Sequence, residues 1–69
     1  MKVVKVSDSS LITEIAFDDD NLAITMTSGK KYMYHGVTLK TAIDFTKAKS
    51  KGKFFNDEIK GEYEGEEII

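Results

Sequence analysis

The run Leu22-Ala23-Ile24-Thr25-Met26-Thr27, followed by Ser28-Gly29 and then Lys31-Tyr32-Met33-Tyr34-His35-Gly36-Val37, decides the fold. Leu22, Ile24 and Met26 alternate with Ala23, Thr25 and Thr27, the period-two signature of a half-buried strand. Ser28-Gly29 marks a hairpin turn, and the aromatic-rich segment after it is the returning strand. Tyr32 and Tyr34 stand two apart, so both rings leave the same face. Register decides which face that is. A two-residue loop at Ser28-Gly29 pairs Thr25 with Tyr32 and Ala23 with Tyr34, on an open face. A three-residue loop ending at Lys30 pairs Met26 with Tyr32 and Ile24 with Tyr34, inside the core. The apolar alternation asks for large partners, so the core register is the one expected.

Upstream of the hairpin, Val3, Val4 and Val6 form a short β-prone start that ends at Ser7-Asp8-Ser9-Ser10. Leu11 to Phe17 is a second strand. Ile12 and Ile15 are an odd number apart, so a bulge or bend there would put both on one face. Asp18-Asp19-Asp20-Asn21 is turn chemistry, because these side chains bond their own backbone.

Downstream, the period changes. Thr38 can cap a helix, and Leu39, Ala42, Ile43, Phe45 and Ala48 follow at helical spacing. Lys51-Gly52 predicts a stop near Ser50, and Lys47, Lys49 and Lys51 suit the negative end of the helix dipole. Phe54-Phe55-Asn56 then opens one or two helical turns reaching about Lys60-Gly61, with Asn56 as the cap. Residues 64–69 read as an acidic, solvated tail. The expectation is an α+β fold in one domain over residues 1–69. Its small antiparallel sheet has three to four strands and packs against one main helix plus a short C-terminal helical turn.

Sixty-nine residues support a single core with a thin stability margin. The chain has no cysteine and one histidine, His35, which excludes disulfides, thiolate metal sites and imidazole clusters. Homo-oligomerisation is a natural remedy for so small a core. No apolar run approaches the length of a signal peptide core or a membrane span, so a cytoplasmic protein is expected. Net charge is −2, unevenly spread: residues 1–39 carry −1, residues 40–53 carry +4 and residues 54–69 carry −5. The middle block suits phosphate; the acidic end repels it unless it points away.

An ordered set of residues is shared with a known family. Ser9-Ser10, Ile15-Ala16-Phe17-Asp18, Leu22, Ile24, Met26 and Gly29 precede Tyr32-Met33-Tyr34. Ala48, Ser50, Gly52, Phe54-Phe55-Asn56, Ile59-Lys60 and Tyr63 follow. From about Val3 to Tyr63 the chain resembles the KTSC domain, found at the C-terminus of some lysyl-tRNA synthetases and as short free-standing bacterial and phage proteins. The resemblance implies a small sheet packed on a helix and a role in RNA binding. Thr38 stands where family members often carry proline, a mild departure because threonine also starts helices. The acidic tail argues against a long polyanion, since nonspecific nucleic-acid affinity rests on phosphate neutralisation.

The candidate binding residues are Tyr32, Tyr34, Lys49, Lys51, Gly52, Lys53, Phe55 and Asn56. The lysines would hold phosphate beside Gly52, whose bare backbone admits a ligand, while a ring of Tyr32, Tyr34 or Phe55 stacks on a base. Each feature also has a plain structural reading: tyrosines in the core, lysines at a solvated helix end, one phenylalanine as an anchor and Asn56 as a cap. Asp18-Asp19-Asp20-Asn21 lacks the terminal glutamate of a Ca²⁺ loop, and no metal or cofactor is expected. Ser9 and Ser10 lack a base nearby, and nothing assembles a nucleophile, base and oxyanion donor, so no enzyme is expected. The leading expectation is a binding module for RNA or a small signalling nucleotide, acting by sequestration in a bacterial or phage setting. The rival is a protein-interaction or oligomeric module presenting a sheet edge or the apolar pair Ile68-Ile69.

Overall fold

Turn chemistry lays down the sheet. In the computed structural model, which describes residues 1–68, the side chain of Asp18 accepts the N–H groups of Asp20 and Asn21 at 3.0 and 2.8 Å. That turn joins β2 (Ile12–Phe17) to β3 (Asn21–Met26). These same backbone donors hold the Asp18 carboxyl below its ordinary pKa. Ser9 Oγ accepts the N–H groups of Leu11 and Ile12, both at 3.1 Å, and so shapes the link from β1 (Lys2–Lys5) into β2. Between β3 and β4 (Lys31–His35), Met26 N–H donates to Lys30 O, and Gly29 takes φ +94°, which glycine adopts without steric cost.

That turn corrects the expected pairing. Tyr32 lies opposite Ile24 and Tyr34 opposite Leu22, two residues along from the predicted core register. The loop is Thr27-Ser28-Gly29 rather than one ending at Lys30, because glycine is the residue suited to its left-handed position. A shift of two preserves the face, so both rings still lie on the helix side. Of the bulge or bend expected there, the structure has the bulge: Ile12 pairs with Met26 but Glu14 with Thr25, leaving Thr13 as the extra residue. Ile12 and Ile15 are consequently both fully buried.

Thr38 caps α1 (Leu39–Lys47), its Oγ accepting the Thr41 N–H at 3.3 Å. The helix ends at Lys47, short of Ser50. Ser50 instead caps a second helix, α2 (Lys51–Phe54), through the Lys53 N–H, and this continues into a π-helical turn over Phe55–Ile59. Gly52 therefore sits inside a helical turn rather than stopping one. Asn56 lies within the π turn and is not its cap. A serine three residues before a free N–H captures the terminus before asparagine is reached.

The sheet is an antiparallel meander in the order β1-β2-β3-β4-β5. It has five strands where three to four were expected, because Gly65–Glu67 of the acidic tail pairs with β4 as β5. Ile69 of the predicted apolar pair lies outside the described residues. Gly65 explains how a charged tail holds its place. The Tyr34 ring lies across it, where any β-carbon would overlap the ring. His35 adds to the fastening on the outer face, with Nδ1 2.9 Å from Asn21 Oδ1 and Nε2 3.1 Å from Glu66 Oε1. Both helices pack on the other face, burying Phe45, Ala42, Phe55 and Ile59 against Ile12, Ile15, Leu22 and Ile24. Burying each large apolar side chain contributes about 1.5–3 kcal/mol, so the few in this core carry most of the fold. No helix among the described residues is long and apolar enough to cross a membrane.

Candidate functional site

Where the β3–β4 turn, β4 and the π turn meet, a groove of about 470 Å³ opens. Its size falls within the range of small-molecule sites. Met26, Tyr34 and Phe55 form the buried floor. The Tyr34 and Phe55 rings meet edge to face, centroids 5.9 Å apart, which locks both rotamers. Burial, followed by the neighbouring Tyr32, pushes the Tyr34 phenol above the usual tyrosine range, so it stays protonated and can donate. Half-buried Tyr32 forms one wall and Leu11 part of another. Thr27, Ser28, Asn56 and Lys60 supply exposed polar groups at the rim.

Four of the predicted site residues, Tyr32, Tyr34, Phe55 and Asn56, thus converge. They do so because β4 places the tyrosines on the helix face and the helix from Lys51 turns Phe55 inward beneath them. Gly52 supports the groove from behind: a β-carbon there would rest against Leu11 Cδ2 at 3.6 Å.

The lysines do not join them. Lys51 lies folded down, its side chain only 10% exposed, donating to Ala48 O at 3.0 Å with Asp8 Oδ1 3.5 Å away. Lys53 pairs with Asp57 at 2.8 Å, and that carboxylate holds its ammonium in the charged form to higher pH. Lys49 and Lys53 flank a separate shallow groove of about 370 Å³ that also contains Asp57 and Glu58. Acids interleave with bases there, so the charge of residues 40–53 makes no open phosphate edge.

Lys60 is the cation that does reach the tyrosine groove, and sequence reading left it out. Its signal was present in the spacing: continuing the second helix past Phe55 sets Lys60 about one turn beyond Asn56, on the same side. Phe54, meanwhile, stacks on Phe45 with centroids 5.3 Å apart and planes 11° from parallel, which makes it a packing residue. Among the described residues no group of three or more His, Cys, Asp or Glu side chains is placed to hold a metal.

Residues 8–63 match the model of the KTSC domain. A crystal structure of a KTSC domain protein from Yersinia pestis is similar over 99% of this chain and 97% of that chain, with 36% sequence identity and a TM-score of 0.90. No curated protein matches the chain. The matched span holds the tyrosine strand, both helices and every residue of the groove, so on sequence and structure together the chain belongs to the KTSC domain family.

Proposed function

We propose that this protein is a cytoplasmic binding module, without chemistry of its own, for a small phosphate-bearing ligand with a planar base. The observation that carries the reading is the convergence of Tyr32, Asn56 and Lys60 on one groove floored by Tyr34 and Phe55. Tyr32 offers an aromatic surface on which a base stacks, an interaction worth about 1–3 kcal/mol by truncation. Asn56 presents both a donor and an acceptor to a base edge, and Ser28 offers a hydroxyl beside it, while Thr27, whose hydroxyl donates to Ser10 O at 3.1 Å, offers an acceptor. Lys60 sits at the rim as a point charge for phosphate. One cation in reach favours a nucleotide over an RNA strand, because each phosphate neutralised adds separately to polyanion affinity. Sequestration of a signalling nucleotide in a bacterium or phage-infected cell is a use that such a groove serves.

The test is calorimetric titration with adenosine and guanosine 5′-monophosphates and a cyclic dinucleotide, at low and moderate salt. Tyr32→Ala and Lys60→Ala each weaken binding about tenfold or more if they hold base and phosphate. Lys49→Ala and Lys53→Ala leave it unchanged. Losses from Lys49→Ala or Lys53→Ala equal to that from Lys60→Ala, or no heat from any nucleotide, defeat the reading.

A further inference from the structure

The sheet ends in two free edges of opposite charge. β1 carries Lys2 and Lys5, and β5 carries Glu66 and Glu67. Val6 N–H donates to Thr13 O at 2.9 Å, so the alternation of an antiparallel edge turns the N–H and C=O of Val3 and Lys5 outward. At the far edge, Ile68 N–H donates to Lys31 O at 2.9 Å and Glu64 O accepts from the His35 N–H. The groups left facing outward there are those of Gly65 and Glu67.

Apolar surface gathers at these same places. Of the five large hydrophobic side chains left exposed among the described residues, Met1, Val3 and Leu39 lie around β1 and Ile68 follows β5. Beneath β1 a groove of about 640 Å³ runs between Met1, Val4, Leu39 and Ile43, with Lys2 and Lys47 but also Asp18 and Asp19 among its lining. Nothing in the described chain fills it.

Charge selects among the possible pairings. Two β1 edges would bring four lysines to one seam, and two β5 edges would bring Glu66 and Glu67 from each side; like charges across a ladder repel. β1 against β5 sets lysine against glutamate. Backbone phase agrees. Strands of the meander alternate in direction, so β1 and β5 run the same way, and a second copy that continues the sheet with its helices on the same side meets β5 in parallel. In a parallel pair, the outward groups of one residue bond to the two residues flanking its opposite number. Gly65 and Glu67 face the helix side and point outward; Lys2 and Val4 face the helix side and are flanked by outward-pointing Val3 and Lys5. An antiparallel junction would instead turn the helices of the second copy to the opposite side of the continued sheet.

We propose that β5 of one copy adds in parallel to β1 of a second copy, so that the chain self-associates head to tail through edges of opposite charge. Glu67 then lies on the same side as Lys2 at the margin of the groove, and Ile68 gains apolar neighbours at the β1 edge. The ion pairs these groups make within one chain, Lys5 with Glu14, Lys30 with Glu67 and His35 with Glu66, each have at least one exposed partner and are weak enough to share or exchange. Such a junction is heterologous, closing into a ring or running on as a filament according to its rotation. It stands apart from the nucleotide reading and survives its failure.

Sedimentation velocity of the full chain over a range of concentrations tests the proposal. The natural protein assembles, and salt weakens the assembly. The double variant K2E/K5E has two acidic edges and E66K/E67K has two basic ones. Each alone loses roughly tenfold or more in association, since every cross-strand pair becomes repulsive. An equimolar mixture of the two regains assembly, because each then offers the edge that the other lacks. Val3→Pro removes one outward N–H while sparing the β1–β2 bonds, and it blocks assembly with no change of charge. Far-UV circular dichroism establishes that each variant is folded, and if a charge variant is not, Val3→Pro decides alone. A monomer at all concentrations, a mixture no larger than its parts, or an assembly indifferent to Val3→Pro overturns the proposal.

Discussion

Substituting Gly65 by alanine puts one methyl group where the Tyr34 ring lies, and the structure dictates the outcome. Backbone strain plays no part, because Gly65 is not among the positive-φ glycines, which are Gly29 and Gly36. Alanine would itself stabilise such a site by about 0.4–1 kcal/mol through the unfolded chain. Against this stands overpacking, which costs about 1–3 kcal/mol when neighbours must move. Tyr34 has little room to give: it is buried, and it sits edge to face with Phe55. The net loss is about 1–2 kcal/mol, and in a domain of this size each kcal/mol lowers Tm by roughly 4–8 °C. Thermal melts followed by circular dichroism therefore show a fall of roughly 5–15 °C for Gly65→Ala. Tyr34→Leu destabilises the protein by itself, yet in that background Gly65→Ala costs little, so the two changes are strongly non-additive. A melt unchanged by Gly65→Ala, or the same loss with and without the Tyr34 ring, would refute the reasoning.

Two further outcomes follow from the same structure. Gly52→Ala stabilises the protein by about 0.5–1 kcal/mol, since the residue is helical and the new methyl meets Leu11 at ordinary contact distance, as chemical denaturation would register. Acid weakens the protein through Asp18 and Glu14. Hydrogen bonds from the Asp20 and Asn21 backbone hold down the first carboxyl, and the Lys5 hydrogen bond holds down the second. Folded pKa values below the unfolded ones give stability that is present above the ordinary carboxylate range and lost as pH falls through the depressed values. Denaturant melts across that acid window show a decline in wild type that is shallower in Asp18→Asn.

The chain's own letters told much of this, and where they fell short the cause was local. Period-two alternation at Leu22-Ile24-Met26 and the odd spacing of Ile12 and Ile15 gave the hairpin and the bulge, because burial on one face leaves little freedom. Thr38 marked its helix correctly. Gly52 misled, since a glycine after a lysine-rich segment looks like a helix end while Ser50 was already capping the next helix. β5 went unseen because Gly65-Glu66-Glu67 has no strand propensity; its partner, the Tyr34 ring, lies 31 residues away in sequence. The binding residues divided in the same manner. Tyr32, Tyr34, Phe55 and Asn56 were legible as types and do meet in space. Lysine clustering in sequence did not become an open cationic edge, because Asp8 from the β1–β2 link engages Lys51 and Asp57, one helical turn on, engages Lys53. Lys60, alone in an acidic stretch, stands at the expected helix end and in the family pattern but not in the binding set.

The central claim is that one groove, bounded by Tyr32, Asn56 and Lys60, takes a nucleotide. Amide ¹⁵N–¹H spectra recorded while guanosine 5′-monophosphate, then a cyclic dinucleotide, is added test it residue by residue. Saturable shifts are expected at Ser28, Tyr32, Asn56 and Lys60, with Lys49 and Lys53 still. Shifts confined to Lys49–Lys53, or a spectrum unmoved at millimolar nucleotide, would contradict it.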